Sequence, residues 1–256
     1  MTSRQLIVPA AGLGTRLGAG RPKLLVPVGG VPMIDRLLGL FREHVTGATI
    51  VVHPSFEQEV RQHLLLQAAA GQSVTTVVQR EPTGMLDAIM LAEPDVRRAT
   101  PDEVWIVWCD QVAIHPATLR RLADLTGRHR DAALVFPTVR RKIPYIHLER
   151  VADGRIVDIL HRREGDTMPE MGESDMGLFA LPRTSFGELL VRFSQSAAFG
   201  AATGERNFLP FIAWANREHE VVTFPSVDEM EAVGVNTPRE LQMVEAYLAA
   251  REGRRT

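Results

Sequence analysis

Cysteine is nearly absent from this chain: among 256 residues only Cys109 carries a thiol. An internal disulfide is therefore excluded, as is a cysteine metal cluster, and a cytosolic setting is expected. Net charge is scarce as well. The balance of −2 and an isoelectric point near 6.5 give no basic field, so nucleic acid is not an expected partner and any Lys/Arg cluster needs a local reason. Long apolar runs are missing, since none approaches the roughly 18 residues that suggest a membrane span. The start, MTSRQLIVPAAG, has no charged n-region, long apolar core or small-residue cleavage site, so no signal peptide is expected. Neither an internal repeat nor a low-complexity tract is visible. What remains is a soluble protein whose 45% hydrophobic content supports a sizeable core, expected as one domain over residues 1–256.

The most informative stretch present is LIVPAAGLGTRLGAGRPKLLVPV, from Leu6 to Val28. Leu6, Ile7 and Val8 read as a central strand of a parallel sheet, ended by Pro9. Ala10, Ala11, Gly12 and Gly14 have little or no side chain, so backbone N–H groups can approach and point at one anion. Arg16 adds a planar fork for phosphate oxygens, and Lys23 a compact point charge. A polyphosphate site follows. It is neither a P-loop, because the nearby Lys lies between Pro22 and Leu24, nor a dinucleotide fingerprint, because Leu17 stands where the third Gly belongs.

Downstream, short apolar runs alternate with helical patterns, which predicts an α/β sheet with helices on both faces. Strands are expected at Thr49–Val52, Val74–Val78, Val104–Trp108, Ala132–Phe136, Met176–Leu181 and Glu220–Phe224. Gly29-Gly30 reads as a turn, and Ile34, Leu37, Leu38 and Phe41 as a helix face that leaves Asp35, Arg36 and Glu43 to solvent. Ser55 with Gln58 reads as a capping box for a helix through about Leu66. Further helices are expected over Met85–Ala92, from Pro116, over Ser185–Phe193 and over about Asn207–Asn216. The region about 138–175 reads as an insertion over one sheet edge, with a hairpin around Ala152-Asp153-Gly154. Its Arg140, Arg141 and Lys142 read as a charged loop. Thr237-Pro238-Arg239-Glu240 opens a final helix over about 237–250, which leaves Asn236 on the loop before it.

The arrangement G-x-G-T-R-x(5)-P-K resembles that of the sugar-1-phosphate nucleotidyltransferases, with Gly12, Gly14, Thr15, Arg16, Pro22 and Lys23 in the family's order and spacing. The resemblance implies a Rossmann-like open mixed, mostly parallel sheet, the nucleotide-diphospho-sugar transferase fold. It also implies that the loop Ala10, Ala11, Gly12, Gly14 and Thr15 holds a nucleoside triphosphate, with Arg16 on its phosphates and Lys23 at the reacting ones. By position alone, Asp110 after the strand VWIVWC could be a cap or loop anchor, and Asn236 in GVNT a turn. The resemblance makes them the two protein ligands of Mg²⁺, a pairing that suits an ion held mainly through its nucleotide.

Gln79 and Gly84 correspond to the family's base-reading pair. The amide can match either a uracil or a guanine edge; UTP or dTTP is favoured, with GTP open. Tyr145, Asp175 and Gly177 correspond to its sugar-binding stretch, with Glu173 and His161 weaker candidates; Asp175 stands where Asn is common. Cys109 stands where glycine is frequent and reads as packing, as do Trp105, Trp108 and Trp214.

The activity implied is Mg²⁺-dependent transfer of a nucleotidyl group from a triphosphate to a sugar-1-phosphate or sugar-like cyclitol phosphate, releasing pyrophosphate. The length leaves no room for the β-helical acyltransferase or regulatory domain of some relatives, so one transferase activity is expected, with self-association open. The alternatives are a cytidylyltransferase for an alcohol or polyol phosphate, and a non-catalytic nucleotide-sugar sensor.

Overall fold

In the computed structural model, which describes residues 2–17, 20–67 and 73–253 without the side chains of Thr15, Leu66 and Gln67, the sheet is built around Arg4–Ala10 (β1). Its side chains alternate between two cores, Leu6 and Val8 packing on one face and Ile7 on the other. The strand does not end at Pro9. Pro9 pairs in register with Val51, while the ladder to the other neighbour has already stopped at Ile7, so the missing donor flanks a single partner strand there.

The chain continues through a hairpin, Pro27–Val28 (β2) and Val31–Pro32 (β3), turned by Gly29 and Gly30 at φ 55° and 77°. Met33–Phe41 (α1), Gly47–Val52 (β4), Glu57–Gln67 (α2) and Ser73–Val78 (β5) follow. Asp35 and Arg36 are not left to solvent: Asp35 Oδ1 lies 2.7 Å from His63 Nε2, and Arg36 Nε donates to the Val28 carbonyl. The start of α2 also differs from the sequence reading. His53, not Ser55, caps it, its Nδ1 accepting the Ser55 N–H ahead of a 3₁₀ turn at Pro54–Phe56 that runs into the helix.

Met85–Met90 (α3) is followed by Glu93–Ala99 (α4), a helix the sequence reading lacks, restarted by Pro94 in its first turn. Then come Glu103–Val107 (β6), Pro116–Arg128 (α5) and Leu134–Lys142 (β7). The last strand is longer than expected. Arg140, Arg141 and Lys142 are not a loop but the end of β7, where they pair with the later strand Met171–Asp175. Between them Ile146–Arg150 (β8) and Ile156–His161 (β9) form the hairpin expected around Gly154. Met171–Asp175 (β10), Leu178–Pro182 (β11), a π-helical turn Ser185–Leu190, Val191–Ser196 (α6), Pro210–Ala215 (α7), Val221–Pro225 (β12) and Pro238–Glu252 (α8) complete the chain.

The sheet is open, mixed and mostly parallel. Strands β5, β4, β1 and β6 run parallel; β11 is antiparallel to β6 and β7; β7 also pairs with β10 antiparallel and β12 parallel. Helices α1, α2, α5 and α8 cover one face through residues such as Phe41, Val60, Leu119 and Val244. The other face is covered by α3, α4, α6 and α7 through Ile89, Val96, Phe193 and Ile212. Among the described residues no helix is long and apolar enough to cross a membrane.

The start of α8 is as the sequence encodes it. Thr237 Oγ1 accepts the Glu240 N–H at 3.3 Å, and the Glu240 carboxylate accepts the Asn236 N–H at 2.9 Å. Thr237→Ala should cost about 1 kcal/mol, read as a lower urea midpoint at unchanged slope.

Candidate active site

A cleft of about 530 Å³ lies at the carboxyl ends of the parallel strands, where open α/β sheets place ligands. The end of β1 leads into Ala10, Ala11, Gly12, Leu13 and Gly14, all lining this cleft, and then into a 3₁₀ turn Thr15–Leu17 that carries Arg16. The Thr15 side chain lies outside the described residues. Gly14 has φ 62°, and a Cβ there would sit 2.8 Å from Lys23 Cβ, so glycine gives the lysine stem its passage. A second 3₁₀ turn, Lys23–Leu25, is anchored by buried Leu24 and Leu25 and leaves Lys23 facing the cleft.

The Lys23 ammonium joins residues far apart in sequence. Nζ donates to Asp110 Oδ2 at 2.6 Å and to Asn236 Oδ1 at 2.8 Å, and Arg16 donates to the same Asn236 oxygen at 3.2 Å. Burial, the largest single influence on Lys23, lowers its pKa, but the Asp110 charge and hydrogen bond together with Cys109 outweigh it and the net shift is upward. Lys23 is thus held as a cation. Asn236 is aimed by its neighbours: its amide nitrogen donates to the Gly234 carbonyl, and its backbone N–H to Glu240. Gly234 allows the approach, because a Cβ there would meet Asp110 Cγ and Oδ2 at 3.0 Å. A backbone bond from Val235 N to the Asp110 carbonyl, 3.2 Å, joins the two segments.

The donor chemistry fits a hard divalent cation. One carboxylate and one amide oxygen converge on a single cationic point, the ammonium, and two hard oxygens suit Mg²⁺ completed by phosphate and water. Among the described residues no group of three His, Cys, Asp or Glu side chains could hold a metal.

Gln79 follows β5 and is buried, its amide nitrogen donating to the Gly84 carbonyl at 3.0 Å. Among the described residues no partner hydrogen-bonds the other amide N–H or the side-chain oxygen. Gly84, at φ 120°, packs directly on the backbone of Arg206; a Cβ there would lie 2.4 Å from the Arg206 carbonyl oxygen. Both residues line the cleft.

Tyr145, Asp175 and Gly177 do not line it. Tyr145 is exposed, its ring edge-on to His161 at 5.2 Å. Asp175 Oδ1 accepts the Gly177 N–H at 2.8 Å, and burial raises its pKa to about 6 against the pull of that bond and of Arg141. Gly177 in turn accepts the Trp108 N–H, and a Cβ on it would strike the indole at 2.2 Å. Asp175 and Gly177 therefore stand behind Trp108. Glu173 is engaged by Arg150 at 2.7 Å, and His161 by Asn207 at 3.1 Å.

Several cleft residues were not singled out as site residues in the sequence. Trp108 is only half buried; its ring packs on Phe179 and Phe208 and also lines the cleft, whereas Trp105 is wholly core. Arg163 and Glu205 also line the cleft, as an ion pair at 3.5 Å. Glu164 beside them accepts the Ala202 N–H at 2.9 Å and the Thr203 hydroxyl at 2.5 Å, tying the turn that carries Arg163 to the loop that carries Glu205. The sequence holds no local signal for these, since each depends on segments that meet only in the fold. Cys109 also borders the cleft, but burial pushes its thiol up to about 12 despite Lys23, which favours the neutral form. A second cavity, about 470 Å³, lies at the opposite ends of β1 and β6 around Asp102 and Glu103, away from the glycine loop.

Comparison with known proteins gives concordant findings. The family model described as the MobA-like NTP transferase domain matches residues 6–174. The chain is 29% identical over 255 residues to the bifunctional protein GlmU of Stutzerimonas stutzeri, covering 99% of this chain and 54% of that protein. It is 30% identical over 257 residues to GlmU of Pseudomonas putida strain F1, covering 99% and 53%. The chain thus spans about half the length of the curated relatives it matches. Among solved structures, a Bacillus anthracis protein assigned as a glucose-1-phosphate thymidylyltransferase, in complex with sucrose, superposes with a TM-score of 0.76. At 16% identity over 95% of this chain and 94% of that one, the likeness is one of fold.

Proposed function

Because the chain is a nucleotidyltransferase belonging to the MobA-like NTP transferase family, we propose that it transfers a nucleoside monophosphate from UTP or dTTP to a sugar-1-phosphate or sugar-like cyclitol phosphate, releasing pyrophosphate. The observation that carries this reading is the meeting of Lys23, Arg16, Asp110 and Asn236 beside a glycine loop in one cleft. Two anionic reactants must be brought together and a third anion must leave, so the task is alignment and relief of charge, and no covalent enzyme intermediate is needed.

In this reading the loop N–H groups from Ala11 to Gly14, with Arg16, hold the leaving phosphates. Lys23 offsets charge between the attacking oxygen and the α-phosphate. Asp110 and Asn236 would hold Mg²⁺, which when bound supplies charge neutralisation and orients phosphate oxygens. Gln79 and Gly84 face the base, and the amide's free acceptor and donor suit a uracil or thymine edge. The wall formed by Trp108, Arg163 and Glu205 is left for the acceptor. Asp175 and Gly177 serve that wall by fixing Trp108, and Tyr145 borders it through His161.

Arg163→Ala is expected to raise KM for the sugar phosphate about tenfold with a smaller change in kcat, the scale of one charge-assisted hydrogen bond. The function itself is tested by a panel of triphosphates against sugar-1-phosphates, read as Mg²⁺-dependent pyrophosphate release. Turnover with UTP or dTTP supports the reading. A sole preference for CTP with an alcohol or polyol phosphate replaces it with cytidylyl transfer, and binding without turnover for every pair replaces it with a sensor.

A further inference from the structure

Glu231 is wholly buried, yet among the described residues no Lys, Arg or His side chain hydrogen-bonds to it; its carboxylate is occupied by backbone N–H groups of two separate segments. Oε1 accepts from Val227 N at 2.8 Å and Asp228 N at 2.9 Å, closing a capping box on the 3₁₀ turn Glu229–Ala232. Oε2 reaches the other segment and accepts from His115 N at 2.8 Å. The first segment leads directly into Gly234 and Asn236, and the second begins at Asp110. Burying a carboxylate is costly unless its oxygens are satisfied, so this tie has one stable geometry.

We infer that Glu231 is a positioning residue that fixes the spacing of Asp110 and Asn236 by clamping the segments that carry them. The inference rests on the reading of those two side chains as cation donors. The direct link between the segments is the single Val235–Asp110 backbone bond, and the 110–115 segment is also held from outside by Arg251, which donates to the Ala113 and Ile114 carbonyls. Glu231 is the one side chain among the described residues that hydrogen-bonds backbone of both segments, and it does so away from the cleft, where it touches no substrate.

Glu231→Gln separates clamping from capping. Glutamine keeps one oxygen for Val227 and Asp228, so the capping box survives. Its NH₂ then faces the His115 N–H, donor against donor, and the tie between segments is lost. Mn²⁺ binding in the presence of UTP, and separately dTTP, read by electron paramagnetic resonance of the free ion, should weaken about 10- to 100-fold, the range for residues that support metal ligands. KM for Mg²⁺ should rise in parallel. His115→Pro provides a second route: at φ −83° proline is accommodated, and it removes the donor, together with the imidazole cap on Ala117 N, while leaving Glu231 in place. It should give the same weakening, and it carries the test if Glu231→Gln does not fold. Wild-type Mn²⁺ affinity in the folded variants, with only a lower melting temperature, overturns the inference and leaves Glu231 a helix cap. Asp110→Ala measured alongside separates the two layers. If it binds Mn²⁺ normally, the metal reading falls and the positioning role with it; if it alone is weakened, only the positioning role falls.

Discussion

Lys23→Ala is expected to lower kcat about 100- to 1,000-fold, the scale for removing one preorganised charge from a site where charge develops. The ammonium is not a free surface charge. It is mostly buried, bonded to Asp110 at 2.6 Å and Asn236 at 2.8 Å, and its charged form is maintained by Asp110 against burial. Lys23→Arg should not rescue it: a planar fork cannot take the place of a compact ammonium between two oxygens, beside an Arg16 already on one of them. Because alanine also leaves Asp110 without its cation, some stability is lost, so kcat must be normalised to folded protein. Initial rates of pyrophosphate release at saturating Mg²⁺ measure the effect. A decrease under tenfold at full folding would place the chemistry elsewhere.

Gly84→Ala should damage both stability and nucleotide binding. An added Cβ would lie 2.4 Å from the carbonyl oxygen and 2.5 Å from the nitrogen of Arg206, backbone atoms that cannot rotate aside. The residue also sits at φ 120°, where an L side chain is strained. Overpacking costs about 1–3 kcal/mol, with backbone strain of about 1–3 kcal/mol added. The contact matters to the site because Arg206 N donates to Thr83, Leu86 N donates to Arg206, and the Arg206 side chain reaches Asp87. Forcing Gly84 away would open the wall that carries Gln79, and KM for the triphosphate should rise with the fall in the urea midpoint. Near-native stability would mean that the 200–206 loop yields easily.

Where the candidate site was legible in the sequence, it was written mainly in local patterns. Gly12, Gly14, Arg16 and Lys23 lie on one continuous stretch, and the structure keeps them on one rim of the cleft. By position alone Asp110 reads as a cap or anchor and Asn236 as a turn; the resemblance singles them out, the Thr237 cap places Asn236 on a loop tip, and the structure brings both to the cleft. The sheet followed from alternating apolar runs, though strand ends did not. Pro9 stayed inside β1 and Arg140–Lys142 extended β7, because pairing partners, not composition, decide where a strand stops.

What stayed hidden depends on long-range encounters. The requirement for glycine at position 84 comes from Arg206, and at position 177 from Trp108. Trp108 reads as core from its apolar run, yet one side of it borders the cleft. Glu231 has the sequence look of a surface acid in VDEMEAVG and is wholly buried, because its partners at His115 and Val227 are joined only by the fold.

In the proposed reaction one cleft couples a triphosphate to a phosphorylated acceptor without an enzyme-bound intermediate. The most direct measurement is ³¹P NMR of the wild-type protein with Mg²⁺, a sugar-1-phosphate and UTP or dTTP. A new diphosphate diester and pyrophosphate are expected in equal amounts, and neither with Asp110→Ala. Release of nucleoside monophosphate instead, or bound reactants that never change, would contradict it.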